Sequence, residues 1–232
     1  MIKKLMHFWS EEHALSVFLL LLVVDMFVIG PLVHTLPAFG LAKDLLFSIL
    51  LVAGVAMVVQ HRALRWTAGI FVLLAIAVRW AGIVFGTPWL LFWNAVLSLL
   101  STMAFLLIVL WWVYREGPVT GHRVRGAVAA YLLLAMCFAF AYDLAEWVSP
   151  GAFSQPASGL GSGQTRFSSF LYFSVVTLTT VGFGDMTPVH PVARSLVMVE
   201  ALVGLLYPAI LLARIVTLQM ETRRSQGGKE LK

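Results

Sequence analysis

Long apolar stretches separated by short polar segments dominate this sequence. A helix that spans a bilayer needs about 20 apolar residues, and six stretches come close to or exceed that length. They lie near residues 14–33, 44–60, 67–86, 88–114, 126–147 and 191–219. A seventh stretch, at 167–179, is too short to span and is typical of a re-entrant helix. The pattern predicts an all-α membrane protein with six transmembrane helices and one re-entrant helix.

The first stretch is expected to be a retained helix and not a cleaved signal peptide. Its apolar region, 14–33, is longer than the h-region of a signal peptide, and no Ala-x-Ala cleavage site follows it.

Composition agrees with this interpretation and excludes other classes. Hydrophobic residues make up 60% of the chain and charged residues 12%, whereas soluble domains carry about 25% charged residues. Soluble enzymes and disordered proteins are therefore excluded. The single cysteine, Cys137, excludes an internal disulfide and a cysteine-based metal cluster. The formal net charge of +5 comes from residues between the apolar stretches, so the expected partner is the lipid bilayer and not nucleic acid.

The positive residues predict an orientation. If every stretch spans, eleven Lys and Arg residues fall on one side and three on the other. The eleven are Lys3, Lys4, Arg62, Arg65, Arg115, Arg123, Arg125, Arg223, Arg224, Lys229 and Lys232; the three are Lys43, Arg166 and Arg194. Because cytoplasmic loops are enriched in positive charge, both termini are expected in the cytoplasm, with the chain in the plasma (inner) membrane.

A glycine-containing loop, Thr180-Val181-Gly182-Phe183-Gly184, follows the re-entrant stretch. Irregular backbone at membrane depth is tolerated only where it is buried in protein or lines a water-filled path. The two glycines can adopt dihedral angles that a Cβ atom forbids, so successive carbonyl groups can point to one side. Carbonyl oxygens, together with the threonine hydroxyl, can replace the hydration shell of a cation. The loop therefore predicts an ion-selectivity filter.

The run from Leu171 to Pro188 resembles the pore loop of potassium channels, and the resemblance extends from Tyr131 to about Leu218. It implies an outer helix, a pore helix, a filter and an inner helix. It also implies a fourfold-symmetric homotetramer, because one loop supplies a quarter of a filter.

The resemblance assigns roles within the loop. It implies that K+ is coordinated by residues Thr180, Val181, Gly182, Phe183 and Gly184, with Asp185 at the outer mouth. The pore helix would end near Thr179, with the negative end of its dipole directed at the cavity.

One residue of the loop departs from the family pattern. Potassium channels most often have Tyr where this chain has Phe183, so the hydroxyl that braces the filter is absent; Phe173 and Thr177 occupy the positions that would receive it. Our hypothesis is a less rigid filter that inactivates at low external potassium. Tyr172 matches the pore-helix aromatic residue that bonds the Asp185 carboxylate in relatives, and an interface aromatic is the alternative.

The inner helix contains several candidate site residues. Gly204 matches the glycine at which related inner helices bend, and a close-packing point is the alternative. Pro208 removes one backbone hydrogen bond and predicts a kink. Leu205, Pro208 and Leu212 share one helix face that would line the cavity. Glu200 lies about 140° from that face and is expected to point at the pore helix, either as a filter-supporting or proton-sensing group or as the partner of a pore-helix hydroxyl.

The first four stretches resemble the sensor position of voltage-gated channels without carrying a sensor. The fourth stretch, 88–114, contains no charged residue, and steep voltage gating needs several charges. Asp25 and Arg79 lie at similar predicted depths with opposite charge, so we expect them to form a buried pair; the alternative is that Arg79 extends outward to the interface. Only 13 residues follow Gln219, so no fused ligand-binding domain is expected.

These observations predict a four-helix bundle at 1–120, a pore domain at 121–219 and a short basic tail at 220–232. The expected function is passive, potassium-selective conduction, with K+ as the permeant ion and without a cofactor or catalytic residues. Asp143 and Glu146 form an acidic pair that helix-end solvation would explain.

Two alternatives remain open at this point. A component of a potassium uptake system would carry a related motif, although such proteins typically have four degenerate loops in one chain. A non-conducting or regulatory channel-like subunit could keep the motif without conducting.

Overall fold

The computed structural model describes residues 11–33, 38–57, 62–115, 121–154 and 164–230. Lys3 and Lys4, which contribute to the predicted orientation, lie outside the described residues. Backbone alone is described for much of the basic tail.

Seven main helices follow one another in the described part of the chain. The first, α1, is continued by a π-helical segment, Val24–Ile29, and a further helical turn, Gly30–Leu32. Apart from an isolated bridge between Phe153 and Pro188, the described residues contain no strand. The seven helices are α1 (Glu11–Val23), α2 (Ala38–Met57), α3 (Arg62–Phe85), α4 (Pro88–Tyr114), α5 (Gly121–Val148), α6 (Gln164–Leu178) and α7 (Pro191–Glu230).

The connection between α3 and α4 shows how the sequence ends one helix and starts the next. Gly86 has a φ of 61° and its N–H donates to the carbonyl of Gly82 at 2.9 Å, which closes the last turn of α3. Thr87 is extended, and Pro88 begins α4, where a missing N–H costs nothing. Two residues therefore suffice to reverse the chain.

Five of the described helices contain segments long and apolar enough to cross a membrane: Leu15–Leu32, Ala68–Phe85, Pro88–Tyr114, Arg123–Val148 and Pro191–Arg214. They correspond to five of the six predicted stretches. The second predicted stretch, 44–60, overlaps α2, and residues 58–60 lie outside the described part. Large apolar side chains such as Leu20, Leu73 and Leu107 are exposed on the helix surfaces, as expected for a multi-pass membrane protein.

The central helix of the molecule is α5, which packs against α1, α4, α6 and α7. Its buried face carries small residues, and Ala129, Ala130 and Ala139 have no exposed surface. Small side chains allow neighbouring helices to approach closely in a membrane. α5 therefore packs on one side against the bundle formed by α1–α4 and on another against the part of the chain that follows it.

The buried charges of the bundle pair differently from the sequence-based expectation. The Nη1 atom of Arg79 donates to Oδ1 of Asp44 at 3.0 Å, and the guanidinium lies 4.1 Å from the ring centroid of Phe47. Asp25 is fully buried, and its carboxylate oxygens accept no hydrogen bond from the described residues.

The expectation that Asp25 and Arg79 form a pair is therefore wrong. The reason is that α2 begins at Ala38, six residues before the apolar stretch that marks it in the sequence. Lys43 and Asp44 consequently lie inside the bundle, each 5% exposed, and not at its edge. Asp44, and not Asp25, therefore supplies the carboxylate that pairs with Arg79.

A double-mutant cycle tests this pairing. Arg79→Gln and Asp44→Asn should each destabilise the protein by about 3–5 kcal/mol, because each removes one side of a buried ion pair. The double variant should lose at least about 1 kcal/mol less than the sum of the two single losses. Thermal unfolding in detergent measures these differences. Asp25→Asn combined with Arg79→Gln is the control, and a larger coupling in that pair would refute the assignment.

Candidate functional site

The loop that joins α6 to α7 contains an alternating backbone conformation. Thr180, Gly182 and Gly184 have φ angles of 61°, 58° and 79°, and the residues between them have negative φ. Alternation in the sign of φ turns successive peptide groups so that their N–H groups face one side and their carbonyls the other. Thr180 is the single described non-glycine residue with positive φ, a conformation that costs about 1–3 kcal/mol and that its surroundings must therefore maintain.

Hydrogen bonds from the loop to α6 hold this conformation. The N–H of Thr180 donates to the carbonyl of Thr177 at 2.9 Å, and the N–H groups of Val181 and Gly182 donate to the carbonyl of Val176 at 3.0 and 3.3 Å. The carbonyl oxygens of residues 180–184 accept no hydrogen bond from the described chain, and these residues are exposed. The loop thus presents free oxygens that could bind a cation.

One side chain of the loop, that of Phe183, contacts the middle of α6. Phe183 is 68% exposed and stacks on Tyr172, with ring centroids 6.4 Å apart and planes 6° from parallel. The Asp185 carboxylate lies close enough to the Tyr172 phenol to interact with it electrostatically. Phe183 therefore lies on Tyr172; Phe173 is buried among other aromatic side chains, and Thr177 offers its backbone carbonyl to the loop.

The chain beyond the loop is fixed to the segment that follows α5. The N–H of Ser154 donates to the carbonyl of Thr187 at 2.8 Å, and the N–H of Thr187 donates to Oγ of Ser154 at 2.8 Å. The N–H of Val189 donates to the carbonyl of Ala152 at 2.8 Å. The segment that follows the loop is therefore held by hydrogen bonds to residues 152–154, which follow α5.

Asp143 and Glu146 support this outer region. Each is 8% exposed, so helix-end solvation does not explain them. Asp143 accepts from Nε of Arg166 at 2.6 Å, which anchors the first turn of α6. The Glu146 carboxylate accepts from the N–H of Gly151 at 2.8 Å. The sequence-based explanation is wrong because the chain folds back over the end of α5 and buries both carboxylates.

Glu200 is fully buried and faces α6, away from the exposed face of α7. Its two carboxyl oxygens contact the hydroxyl groups of Ser174 on α6 and Tyr142 on α5. The Ser174 hydroxyl also contacts the carbonyl of Ala135 at 2.8 Å.

A count of the available hydrogens favours a neutral Glu200. Ser174 and Tyr142 each carry one hydroxyl hydrogen, and the Ala135 carbonyl can only accept. Ser174 can share its hydrogen between the Ala135 carbonyl and Glu200, and three separate hydrogen bonds form when a protonated Glu200 donates to Ser174. A neutral carboxyl group is also far less costly than a carboxylate in an apolar interior.

Gly204 lies where α7 meets the end of α6. A Cβ atom added at Gly204 would lie 2.2 Å from the carbonyl oxygen of Leu178, so this glycine provides a close backbone contact. α7 continues as one helix through Pro208 to Glu230. Leu205, Pro208 and Leu212, the predicted cavity residues, are all exposed in the single chain.

Sequence analysis did not identify Tyr142, Ser174 or Tyr131 as site residues. Tyr131 donates to the carbonyl of Leu178 at 2.9 Å. The available signal was the occurrence of tyrosines inside an apolar stretch, since a buried phenol usually finds a hydrogen-bond partner. Among the described residues, no group of three or more His, Cys, Asp or Glu could hold a metal ion, and the candidate cation ligands are backbone oxygens.

These features occur together in one known class of protein. Residues 128–221 match the family described as Ion channel, and this region runs from α5 through the loop to α7. It contains the outer helix, the short helix, the loop and the inner helix described above. This part of the chain is similar to an ion channel domain, and the resemblance to potassium channels predicted from the sequence is confirmed there.

Three relatives match parts of the chain. The chain is 39% identical over 61 residues to Protein LctB of Geobacillus stearothermophilus, which covers 26% of this chain and 45% of that protein. It is 34% identical over 87 residues to Protein LctB of Bacillus caldotenax, covering 37% and 64%. It is 34% identical over 84 residues to the Inward rectifier potassium channel Kirbac3.1 of Paramagnetospirillum magnetotacticum, covering 34% and 24%.

The chain thus spans less than two thirds of each of these relatives. No solved structure matches it.

Replacing Gly204 by alanine tests the close contact with α6. We expect Gly204→Ala to reduce ion flux and to destabilise the protein by at least about 1–3 kcal/mol, because overpacking against backbone forces a shift of the helix. Gly69→Ala on α3 is the control, since an added Cβ there meets no atom within 4 Å. Thermal unfolding and liposome flux measure both variants, and equal behaviour of the two would contradict the contact.

Replacing Glu200 tests its protonation state. Glu200→Gln keeps one donor and one acceptor of the neutral acid, so we expect a loss of stability below about 1 kcal/mol, whereas Glu200→Ala leaves a cavity and unpaired hydroxyls and should cost about 2–5 kcal/mol. Infrared spectroscopy at neutral pH should show a protonated carboxyl band that disappears in Glu200→Gln. A carboxylate band at this residue, or equal damage from both substitutions, would contradict the neutral state.

Proposed function

We propose that the chain is a subunit of a homotetrameric channel that conducts K+ selectively and passively across the membrane. The observation that carries this proposal is the loop of residues 180–184, whose alternating φ angles and hydrogen bonds to α6 leave its carbonyl oxygens free. The similarity to a protein named as an inward rectifier potassium channel supports the choice of ion.

In the proposed channel, four copies of the loop surround one axis. The carbonyl oxygens of residues 180–184 and the Thr180 hydroxyl replace the hydration shell of K+ as it enters the filter. The C-terminal end of α6, near Thr179, directs partial negative charge at the cavity. Asp185 adds negative charge at the outer mouth and attracts cations. Leu205, Pro208 and Leu212 line an apolar cavity in which the ion keeps its water.

Exposed apolar surface supports assembly of several copies. Large apolar side chains are exposed on the loop and along α7, and none of the described residues of the same chain covers them. An exposed apolar surface of this kind marks an interface with protein or lipid. The side chains include Val181, Phe183, Val192, Met198, Val199, Leu202, Leu205 and Leu206.

The proposal includes an orientation in the membrane and a role for each of three segments of the chain. Both termini lie in the cytoplasm of a cell whose plasma (inner) membrane holds the channel, in agreement with the distribution of Lys and Arg. Residues 1–120 form the bundle, 121–219 the pore domain and 220–232 the basic tail. α4 has no charged residue, so gating does not use a conventional voltage sensor.

Reconstitution into liposomes tests the proposed function. With an outward K+ gradient and a protonophore, the protein should carry K+ and Rb+ and little Na+. Gly182→Asp should reduce flux to the level of protein-free liposomes, because it places a side chain and a charge among the coordinating oxygens. Gly86→Asp is the matched control, since Gly86 and Gly182 have φ angles of 61° and 58° and open space around an added Cβ.

The outcomes separate the alternatives. Equal flux of Na+ and K+ would refute selectivity. An assembled tetramer without flux would favour the non-conducting subunit, and flux that survives Gly182→Asp would place the ion path outside the loop.

A further inference from the structure

The carbonyl groups at the end of α6 show which contacts hold the base of the loop. The last four carbonyls of an α-helix have no partner within the helix and must find one elsewhere. Val175 accepts from the N–H of Thr179 at 3.0 Å, Val176 from that of Val181 at 3.0 Å, and Thr177 from that of Thr180 at 2.9 Å. The chain's own backbone therefore satisfies three of the four.

Leu178 is the exception. Its carbonyl accepts from the phenol of Tyr131, which lies on α5 and 47 residues earlier in the chain, at 2.9 Å. Leu178 itself is 1% exposed, so water cannot readily replace this donor. On another side of the same oxygen, the backbone of α7 approaches so closely that Gly204 has no room for a Cβ atom. The position of the Leu178 carbonyl is thus fixed by the Tyr131 hydroxyl on one side and by the backbone of α7 at Gly204 on another.

The peptide group that carries this carbonyl is the joint between α6 and the loop. It links Leu178 to Thr179, and Thr180 follows with its positive φ of 61°. A rotation of this peptide would change the orientation of residues 180–184, whose φ angles alternate in sign. The carbonyl groups of these residues would then point in a different direction. Without a donor, the buried oxygen would also gain free energy by rotating towards water or an ion in the cavity.

We infer that Tyr131 is a positioning residue for the ion-coordinating loop, acting through the Leu178 carbonyl. The consequence is that ion selectivity depends on one hydroxyl group of the outer helix, and this consequence rests on the proposed function. Tyr131 does not contact the permeant ion.

Tyr207 provides a matched control within the same pair of rings. Its ring stacks on that of Tyr131, with centroids 5.7 Å apart and planes 24° from parallel. Its hydroxyl also donates to a backbone carbonyl, that of Ala127 on α5, at 2.8 Å. Tyr207→Phe therefore removes the same chemical group from the same stack without touching the end of α6.

The experiment compares Tyr131→Phe with Tyr207→Phe in the full chain, reconstituted into liposomes. Both variants should lose similar thermal stability, since each loses one phenol–carbonyl hydrogen bond. The ratio of Na+ to K+ flux should rise about fivefold in Tyr131→Phe, the factor that corresponds to about 1 kcal/mol for one net hydrogen bond. It should change less than about twofold in Tyr207→Phe, because the Tyr207 hydroxyl bonds the Ala127 carbonyl and not the end of α6. Equal changes in both variants, or none in either, would overturn the inference.

A second measurement separates this inference from the proposed function. Hydrogen exchange of the amides of residues 179–182, followed by mass spectrometry, should be faster in Tyr131→Phe than in Tyr207→Phe, whether or not the protein conducts. A wild-type protein without K+-selective flux would refute the proposed function, while the exchange rates would still decide the role of Tyr131. Unchanged exchange in Tyr131→Phe would refute that role.

Discussion

The structure depends on how a helix too short to cross a bilayer is held inside it. α6 has 15 residues, and its polar groups cannot be left against lipid. Buried hydrogen bonds and an ion pair therefore fix it along its whole length, and they come from the bundle, the outer helix and the inner helix. The partners are Asp143 for Arg166, the carbonyl of Gly30 for Ser168, the carbonyl of Ala135 and Glu200 for Ser174, and Tyr131 for the carbonyl of Leu178.

The bundle is part of this support, although none of its residues lies in the loop. The Oγ atom of Ser168 donates to the carbonyl of Gly30 at 2.8 Å, directly after the π-helical segment of the first helix. The ammonium group of Lys43 on α2 lies 4.6 Å from the ring centroid of Phe167, a favourable arrangement for a desolvated cation. The first turns of α6 thus rest on the bundle, and its last turn rests on α5 and α7.

The sequence predicts the loop well because spacing alone defines it. Gly182 and Gly184 allow backbone conformations that a Cβ atom forbids, and both have positive φ, whereas nothing in the sequence indicates the positive φ of Thr180. The direction of Glu200 follows from the 100° rotation per residue of a helix, and Glu200 does face α6.

The hydrogen-bond and ion-pair partners of buried side chains were harder to predict than the directions in which those side chains point. Asp25 and Arg79 fail as a pair because the apolar pattern locates the start of α2 too late, which hides Asp44 from the argument. Tyr131 and Tyr142 act across helices that are distant in sequence, and no local pattern encodes which oxygen each phenol reaches. A sequence does not show which backbone carbonyls will accept hydrogen bonds from side chains. In this structure such carbonyls accept many of the bonds that hold α6.

The contact at Gly204 has a mechanical consequence. Where side chains separate two helices, a small displacement can be absorbed by changes of rotamer. No side chain lies between Gly204 and the Leu178 carbonyl, so the contact has very little compliance. A tilt of the inner helix at this level must displace the base of the loop by a similar distance. In the proposed channel, a force that moves the C-terminal part of α7 is therefore transmitted to the loop, so that movements of the two are mechanically coupled.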